Sequence, residues 1–405
     1  MGRLSEYEKL AGRDALQEIY ELADVLKDKH ILCINSTSQG GGVAEILKST
    51  VFMINTLGIR LGWRTLHGSS DFFTVTKNIH NALQGDRKMI SRKDKDLYYK
   101  TNERFSVFTH IDHDMVIIHD PQPLPLIDFY RKTQPWIFRC HVDLSKPYPP
   151  VWNYLKKFVS KYDHIVVSKE DYKKRLKMKQ SVIYPAIDPF TAKNMKLSKK
   201  AIAKNLRNSG IDTDRPLITQ VSRFDRWKDP LGVIRVFENV RRRMDCQLVL
   251  SGSFSVDDPE GQKIFERVEN KAQNSRYAED IKIFLNATDT MVNCLQTASD
   301  VVVQKSTREG FGLVVSEALF KGTPVVASNV GGIPLQVLDG INGYIRDPRD
   351  TEGFTRSIMK ILREDHLRTD MGRRAREHVI NNFLVTRLVS DWLVLLKEHF
   401  PNLKH

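Results

Sequence analysis

The amino-acid sequence predicts an α/β protein built from two doubly wound domains, each a parallel sheet flanked by helices. A strand, a glycine-rich turn and a helix follow one another between His30 and Leu57, which is the first unit of such a sheet. The same alternation starts again near Leu217, after a break that contains two prolines. At 405 residues the chain is also too long for one ordinary hydrophobic core.

The first domain is predicted to open with helical structure in residues 1–28, followed by a strand at His30–Asn35. Gly40, Gly41 and Gly42 form a turn, and apolar residues at helical spacing predict a helix over Val43–Leu57. Short apolar runs predict five further strands: Trp63–Leu66, Met115–His119, Trp136–Cys140, His164–Val167 and Val182–Ile183.

The second domain is predicted to begin with a lysine-rich helix over Ser198–Asn208. Strands and helices then alternate. The predicted strands are Leu217–Val221, Gln247–Leu250, Ile281–Leu285, Val301–Val303 and Pro324–Ala327, and the predicted helices are Pro230–Arg243, Glu260–Lys271 and Thr290–Gln296. The last third is expected to be helical and to end in an amphipathic helix over Phe383–Phe400. We therefore predict domains over 1–190 and 191–382 facing a cleft, and a terminal segment, 383–405, that packs back on the first domain.

Composition narrows the class of protein. Hydrophobic residues make up 41% and charged residues 28%, as in globular proteins, and no apolar run approaches the length of a membrane span. The charged N-terminus lacks the apolar segment of a signal peptide, so we expect a cytoplasmic protein. The four cysteines are far apart and are expected to be reduced. The net charge of +14 is scattered among acidic residues, so we predict no nucleic-acid partner; a homodimer stays open.

The most informative stretch runs from Ser306 to Leu319. Glu309 and Glu317 lie on either side of a turn, Gly310-Phe311-Gly312, that leads from a buried strand into a helix. Such a turn collects backbone N–H groups and the positive end of a helix dipole at one place. Donors together with two carboxylates suit a ligand that carries both phosphate and hydroxyl groups.

A pair of cationic residues follows the predicted strand Leu217–Val221. Arg223 lies at its carboxyl end, and Lys228 comes five residues later, before a helix. A guanidinium and an ammonium at the mouth of one strand–helix unit predict a diphosphate site, although each could instead pair with a surface carboxylate. If the ligand is a nucleoside-diphosphate sugar, its leaving group needs neutralisation more than protonation. Glu309 and Glu317 then hold two different diols, one on the sugar and one on the ribose.

Polar residues also follow two strands of the first domain. His119 and Asp120 come after one strand, and His141 comes after the next, at strand ends where open α/β sheets bind ligands. We take Asp120 and His141 as acceptor-binding candidates, while a structural role in a loop stays open for both histidines. The glycines Gly41 and Gly42 permit close approach to a ligand, or form a plain tight turn.

Three Asp-x-Asp patterns occur, at residues 94–96, 112–114 and 212–214. None directly follows a predicted strand, and Asp112 and Asp114 precede one. We therefore predict that the protein needs no metal and no other cofactor.

These motifs resemble retaining glycosyltransferase family 4, and most closely the trehalose glycosyltransferring synthases. The likeness covers most of the chain. It rests on the Glu309/Glu317 and Arg223/Lys228 patterns and on the segments Asn35–Glu45, Phe73–Lys77, His80–Gly85, His119–Pro123, Arg139–Leu144 and Asp257–Gly261. The resemblance implies two Rossmann-like domains (the GT-B fold), the first for the acceptor and the second for a nucleotide sugar. It also implies transfer of glucose from UDP- or ADP-glucose to glucose, giving α,α-trehalose, with reversibility left open.

The resemblance further implies individual roles. Arg223 and Lys228 would bind the diphosphate. Glu309 and the backbone of Phe311, Gly312 and Leu313 would hold the transferred glucose, and Glu317 would hold the ribose. His141 would approach the reacting carbon, and Gly41 and Gly42 would border the phosphates.

Two departures from the family pattern are Asp229, where glycine is usual, and Lys305-Ser306, where Pro-Ser is usual. The first leaves open a differently shaped phosphate loop. A retaining trehalose phosphorylase and another hexosyltransferase of the same fold are the rival activities, and a non-catalytic binder of sugar nucleotides or RNA is the alternative from another class.

Overall fold

The computed structural model describes residues 2–38, 41–253 and 259–400. Gln39 and Gly40 of the predicted glycine turn, and Asp257 and Asp258 of the family-like motif, lie outside the described residues. The chain forms two compact units: the first comprises Met1–Ala186 with Val385–His405, and the second comprises Ile187–Leu384. The sequence predicted these domain boundaries after residue 190 and after residue 382.

The first unit contains one parallel six-stranded sheet in the order β2-β1-β3-β4-β5-β6. Its strands are β1 (His30–Asn35), β2 (Arg60–Thr65), β3 (Met115–His119), β4 (Trp136–Arg139), β5 (His164–Val167) and β6 (Lys179–Val182). Its helices are α1 (Gly2–Ala11), α2 (Arg13–Val25), α3 (Gly41–Thr56), α4 (Ser70–Leu83), α5 (Arg92–Val107) and α6 (Pro149–Val159). The last helix of the chain, α15 (Val385–Glu398), also belongs to this unit.

Local chemistry explains where several of these helices begin. The Ser69 hydroxyl accepts from the Phe72 N–H at the start of α4. Ser91 and Asp94 form a reciprocal capping box at the start of α5. The central strands β1, β3 and β4 are buried on both faces, which is why they appear in the sequence as continuous apolar runs.

Helix α15 packs against α2 and α3 of the first unit. Its buried face carries Leu388, Trp392 and Leu396. The Arg387 guanidinium donates to the carbonyl of Tyr184 at 2.7 Å, so polar as well as apolar contacts hold this helix to its unit.

The second unit contains the other parallel six-stranded sheet, ordered β12-β11-β10-β7-β8-β9. Its strands are β7 (Leu217–Val221), β8 (Gln247–Gly252), β9 (Ile281–Leu285), β10 (Val301–Gln304), β11 (Val325–Ser328) and β12 (Gly343–Arg346). Its helices are α7 (Lys199–Asn208), α8 (Pro230–Arg241), α9 (Pro259–Gln273), α10 (Asp289–Ala298), α11 (Leu313–Phe320), α12 (Ile333–Gln336), α13 (Thr351–Arg363) and α14 (Asp365–Asn382).

The predicted fold class, two doubly wound parallel sheets, is confirmed. Five strands have the predicted bounds: β1, β3, β5, β7 and β9. Two assignments were wrong. The prediction of Val182–Ile183 missed most of β6 (Lys179–Val182), because a polar edge strand lacks an apolar run. The expectation that the chain is helical after its last predicted strand, Pro324–Ala327, missed β12, a four-residue edge strand that contains a glycine. Among the described residues, no helix is both long and apolar enough to cross a membrane.

Candidate functional site

The loop between β10 and α11 holds the central motif of the second unit. Gly312 is the residue before the first turn of α11, with φ 85° and ψ 61°, a left-handed conformation that favours glycine. The first N–H groups of a helix have no partner within it, so the start of α11 offers donors to an anion. Phe311 is buried and anchors this end of the loop.

A second glycine pair, which the sequence reasoning missed, supports the loop from behind. A Cβ atom on Gly331 would lie 1.9 Å from the Glu309 carbonyl oxygen, so no larger residue fits there. The Gly332 N–H donates to the Gly310 carbonyl at 3.0 Å. The available signal was two adjacent glycines soon after a strand and just before a proline-containing turn, Asn329–Pro334.

Gln336, fully buried, is a further positioning residue that was missed. Its Nε2 donates to the Phe311 carbonyl at 2.6 Å, and its Oε1 accepts from the Ser316 hydroxyl at 2.6 Å. One amide therefore joins the loop to the first turn of α11. A buried glutamine within an otherwise apolar helix has no distinctive sequence signal.

Lys228 and Glu309 are in direct contact. The Lys228 Nζ lies 2.5 Å from Glu309 Oε2, and their side chains are only 15% and 9% exposed. The same carboxylate oxygen accepts from Gln304 Nε2 and from the Ser306 hydroxyl, each at 3.3 Å. Lys228, the predicted phosphate-binding residue, and Glu309, the predicted sugar-binding residue, thus form one polar group at the carboxyl ends of β7 and β10.

Arg223 lies after the end of β7 and is the most accessible of the predicted site residues in this unit. Its side chain is 58% exposed, and its guanidinium lies 3.5 Å from Asp225 Oδ2. Asp225 in turn accepts from the Trp227 N–H at 2.7 Å, and the Trp227 carbonyl accepts from the Thr307 N–H at 2.7 Å. The loop that carries Arg223 and Lys228 is therefore bonded to the loop that carries Glu309.

Glu317 has a separate set of partners. It is 2% exposed, its Oε2 accepts from Gln296 Nε2 at 3.2 Å, and its Oε1 lies 3.9 Å from Lys193 Nζ. The neighbouring Lys321 donates to Asn194 Oδ1 at 2.9 Å, and burial lowers the Lys321 pKa to about 8. Separate partners for Glu309 and Glu317 fit two carboxylates that hold different parts of a ligand.

The two departures from the family pattern meet in space. Lys305 Nζ lies 2.5 Å from Asp229 Oδ2, and the Lys305 side chain is only 3% exposed. Asp229 has φ 45° and ψ 51°, which glycine adopts without strain, and its Oδ1 accepts from the Gly232 N–H at the start of α8. The aspartate therefore keeps a glycine-like conformation while adding a helix cap and a buried ion pair beside Lys228.

We expect the replacement Asp229→Asn to destabilise the protein by about 3 kcal/mol, because it leaves the buried Lys305 ammonium without its carboxylate. Asparagine preserves the left-handed conformation and a capping oxygen, so the lost charge is what is measured. Lys305→Met should cost less, about 1 kcal/mol, because Asp229 is 20% exposed and can be hydrated. Urea unfolding of both single variants and the double variant tests the pair; strictly additive losses would contradict it.

In the first unit, His119, Asp120 and His141 come together at the carboxyl ends of β3 and β4. His119 Nδ1 lies 3.1 Å from His141 Nε2, and Asp120 Oδ1 accepts from the His141 N–H at 2.8 Å. Burial, reinforced by Arg139, lowers the His119 pKa to about 3 and the His141 pKa well below its ordinary value. Burial raises the Asp120 pKa to about 6. Both imidazoles are therefore neutral at pH 7.

Arg139 was not assigned a role from the sequence. It is 1% exposed and donates to the Ser168 hydroxyl at 3.1 Å and to the Ile183 carbonyl at 2.9 Å. With His119, His141, Thr50 and Trp392 it lines a cavity of about 20 Å³. A cavity of this size is far below that of a sugar site, which needs roughly 300 Å³ or more. It lies among the residues that hold His141 in place.

The histidine pKa predicts a pH dependence of stability. The folded-state pKa of His119, about 3, lies below the unfolded value of 6.5, so its contribution is complete above pH 6.5 and is lost as the pH falls. Asp120 has the opposite effect, because its raised pKa, about 6, adds stability as the pH falls through that value. In His119→Gln only the first effect is removed. Between pH 7 and pH 4.5, the unfolding free energy of this variant should therefore fall by about 2 kcal/mol less than that of the wild type. Guanidinium unfolding at both pH values measures it, and a pH-independent difference would contradict the assignment.

The predicted glycine turn is only partly described. Gly41 is the first residue of α3, with φ 77° and open space where a Cβ would lie, and Gly42 is exposed in the first turn. Both therefore lie at a helix start after the carboxyl end of β1, as a phosphate-bordering role requires.

Two family models match the chain. The trehalose synthase N-terminal domain matches residues 33–174, and glycosyl transferases group 1 matches residues 201–378. A trehalose synthase from Thermococcus litoralis is 42% identical over 402 residues, which cover 97% of this chain and 96% of that protein. A trehalose phosphorylase from Pleurotus pulmonarius is 28% identical over 97% of this chain but only 60% of its own length.

A solved structure shares the fold. The UDP-forming α,α-trehalose-phosphate synthase from Burkholderia xenovorans, in complex with glucose-6-phosphate, aligns with a TM-score of 0.73 at 17% identity, covering 91% of this chain and 99% of that one. The two parallel sheets thus have the GT-B fold, and the family model and the relatives show a glycosyltransferase that transfers a hexose. Within that class, the chain belongs to the trehalose synthase family.

Proposed function

We propose that the protein transfers glucose from a nucleoside-diphosphate glucose to free glucose and so forms α,α-trehalose, with retention at the donor carbon. The observation that supports this most is the Lys228–Glu309 contact next to the start of α11. It places an ammonium, a carboxylate and helix N–H groups in one polar site, a combination that suits a phosphate bonded to a hydroxylated ring. The identity of 42% to a trehalose synthase over nearly the whole chain supports trehalose as the product.

The residues that bind the donor substrate belong to the second unit. Arg223 and Lys228 neutralise the diphosphate as its bond to glucose C1 breaks, and the N–H groups at the start of α11 add to that stabilisation. Binding of phosphate by Lys228 releases Glu309 from its ion pair, so that the carboxylate is available to the glucose hydroxyls. The backbone of Phe311, Gly312 and Leu313 borders the same sugar, and Glu317 holds the ribose.

The first unit supplies the acceptor residues Asp120 and His141. A neutral His141 can donate or accept a hydrogen bond at a sugar hydroxyl without placing a second positive charge near the reacting carbon. The new bond joins C1 of the donor to the anomeric oxygen of the acceptor glucose, and the acceptor's proton passes to an oxygen of the leaving diphosphate. The products are trehalose and the nucleoside diphosphate.

The deciding experiment is to incubate the protein with UDP-glucose or ADP-glucose plus glucose and to identify the linkage by NMR. A single α-anomeric signal, as a symmetric α,α-linked disaccharide gives, is expected together with release of the nucleoside diphosphate. A different disaccharide would indicate another hexosyltransferase. We propose that activity persists in a chelator; loss that magnesium or manganese restores would contradict this part of the proposal.

The similarity to a trehalose phosphorylase supports a second candidate function, the phosphorolysis of trehalose. Incubation with trehalose and either UDP or inorganic phosphate separates the two activities, because a phosphorylase releases glucose 1-phosphate. Glu317→Gln gives a further distinction: loss of a ribose contact should raise the KM for the nucleotide sugar, by about tenfold, with a small change in kcat. For a non-catalytic binder, Glu309→Ala would leave any measured turnover unchanged.

A further inference from the structure

A group of metal-ligating side chains lies at the amino-terminal edge of the first sheet. Within the residues that the structure describes, His30, Asp112 and His113 are the only group of three or more such residues whose ligand atoms lie together, all within 4.8 Å of one another. His30 begins β1, and Asp112 and His113 immediately precede β3, the neighbouring strand. Asp112 and His113 belong to one of the Asp-x-Asp patterns of the sequence, which the proposed reaction does not use.

The backbone holds the two ligand-bearing segments side by side. The His30 N–H donates to Asp114 Oδ2 at 2.8 Å, and the Asp114 N–H donates to the His30 carbonyl at 2.7 Å. The rings of His30 and His113 are 4.0 Å apart between centroids, inclined at 36°. The three side chains are therefore positioned by the sheet and not by a long loop.

The distances suit a tetrahedral ion. His113 Nδ1 lies 3.4 Å from Asp112 Oδ1. Ligands bound to zinc at about 2.0–2.1 Å in tetrahedral geometry are roughly 3.3 Å apart. This pair therefore already has the spacing of one tetrahedral edge, and the third ligand atom, on His30, lies within 4.8 Å of both.

The burial of His113 is the second, independent observation. Its side chain is only 3% exposed, yet Nδ1, the atom that faces Asp112, has no hydrogen-bond partner among the described residues. A buried polar nitrogen without a partner is costly and calls for an explanation, and a bound cation is one. Asp112 is 69% exposed, so an ion can enter from solvent and keep water as a fourth ligand.

The donor atoms around the cluster favour a cation. Asp112 and Asp114 place two carboxylates beside the two imidazoles. Two imidazoles and one carboxylate are the donor set of zinc and similar transition metals, whereas magnesium and calcium require oxygen ligands.

We propose that His30, Asp112 and His113 bind one transition-metal dication of the zinc type, which joins the starts of β1 and β3. The site is distinct from the acceptor residues, because Asp120 follows the opposite end of β3, about 16 Å along a five-residue strand. The proposal does not depend on the proposed function, and it concerns stability and not the reaction.

Calorimetric titration of the chelator-treated full-length protein with Zn²⁺ tests the site. We expect one ion per chain with a Kd below about 10 µM, and no saturable binding of Mg²⁺. A Co²⁺ titration should give the visible absorption of a tetrahedral complex. Saturating Zn²⁺ should also raise Tm by about 3 °C or more, since it binds the folded state only.

Asp112→Asn is the decisive variant, because the exposed side chain can be changed without disturbing the fold. It should weaken Zn²⁺ binding by at least about tenfold and remove the Tm shift. His30→Phe should abolish binding while retaining a ring against His113. The matched control is His366→Ala, an exposed histidine of α14 in the other unit, which should bind Zn²⁺ as wild type does. Wild-type binding weaker than about 1 mM, or binding equal in wild type and Asp112→Asn, overturns the proposal.

Discussion

Arg223→Ala will lower kcat/KM for the nucleotide sugar by roughly 30- to 1,000-fold, corresponding to about 2–4 kcal/mol of lost transition-state stabilisation. The guanidinium lies at the carboxyl end of β7 and is 58% exposed, so it is accessible to a ligand and contributes little to folding. Its neighbour Lys228 keeps the Glu309 carboxylate paired in the variant. The loss should therefore be one of rate, with Tm within about 2 °C of wild type.

Steady-state kinetics with UDP-glucose or ADP-glucose, alongside thermal unfolding, measure both quantities. Arg242→Ala is the matched control, because Arg242 is an exposed arginine just after the other end of α8. The control should retain wild-type kinetics. A rate for Arg223→Ala within about threefold of wild type would remove Arg223 from the diphosphate site.

Gly331→Ala will reduce kcat/KM by at least about 100-fold, because it displaces the loop that carries Glu309. The added Cβ would lie 1.9 Å from the Glu309 carbonyl oxygen and 3.1 Å from the Gly310 carbonyl oxygen, so the loop must move. The residue also has φ +56°, which adds a backbone cost of about 1 kcal/mol to any clash.

Gly340→Ala separates the clash from the backbone cost. Gly340 has φ +74°, but a Cβ there would meet nothing within 4 Å. Its replacement should lower stability by about 1 kcal/mol and leave the kinetics unchanged. Equal kinetic losses in the two variants would mean that the loop is not held by Gly331. Circular dichroism and Tm measurements on both show whether the Gly331 variant remains folded.

The parallel sheets were predictable because each central strand is buried on both faces. Strands such as β3 and β7 therefore stand out as uninterrupted apolar runs between polar turns. Edge strands carry no such signal. Strand β12 has two half-buried residues among its four, and β6 has no fully buried one, which explains why one was missed and the other misplaced.

The candidate site was predictable in its residue types but not in its contacts. Arg223, Lys228, Glu309 and Glu317 were identified because cations and carboxylates follow strand ends at motif spacing. The supports of the loop, Gly331 and Gln336, belong to other segments of the chain and show their role only through atoms they approach in space.

By itself, the sequence determined the alternation of strands and helices, the glycine-dependent turn at Gly312 and the family, since these depend on neighbouring residues and motif spacing. The tertiary structure alone decided which charges meet: Lys228 with Glu309, and Lys305 with Asp229. The partners in these pairs lie far apart along the chain, on different strand–helix units. The order of strands β10 and β7 in the sheet brings them together, and no local pattern encodes that order. The pairing of these charged side chains therefore follows from the topology, although the sequence alone shows that the charged residues are present.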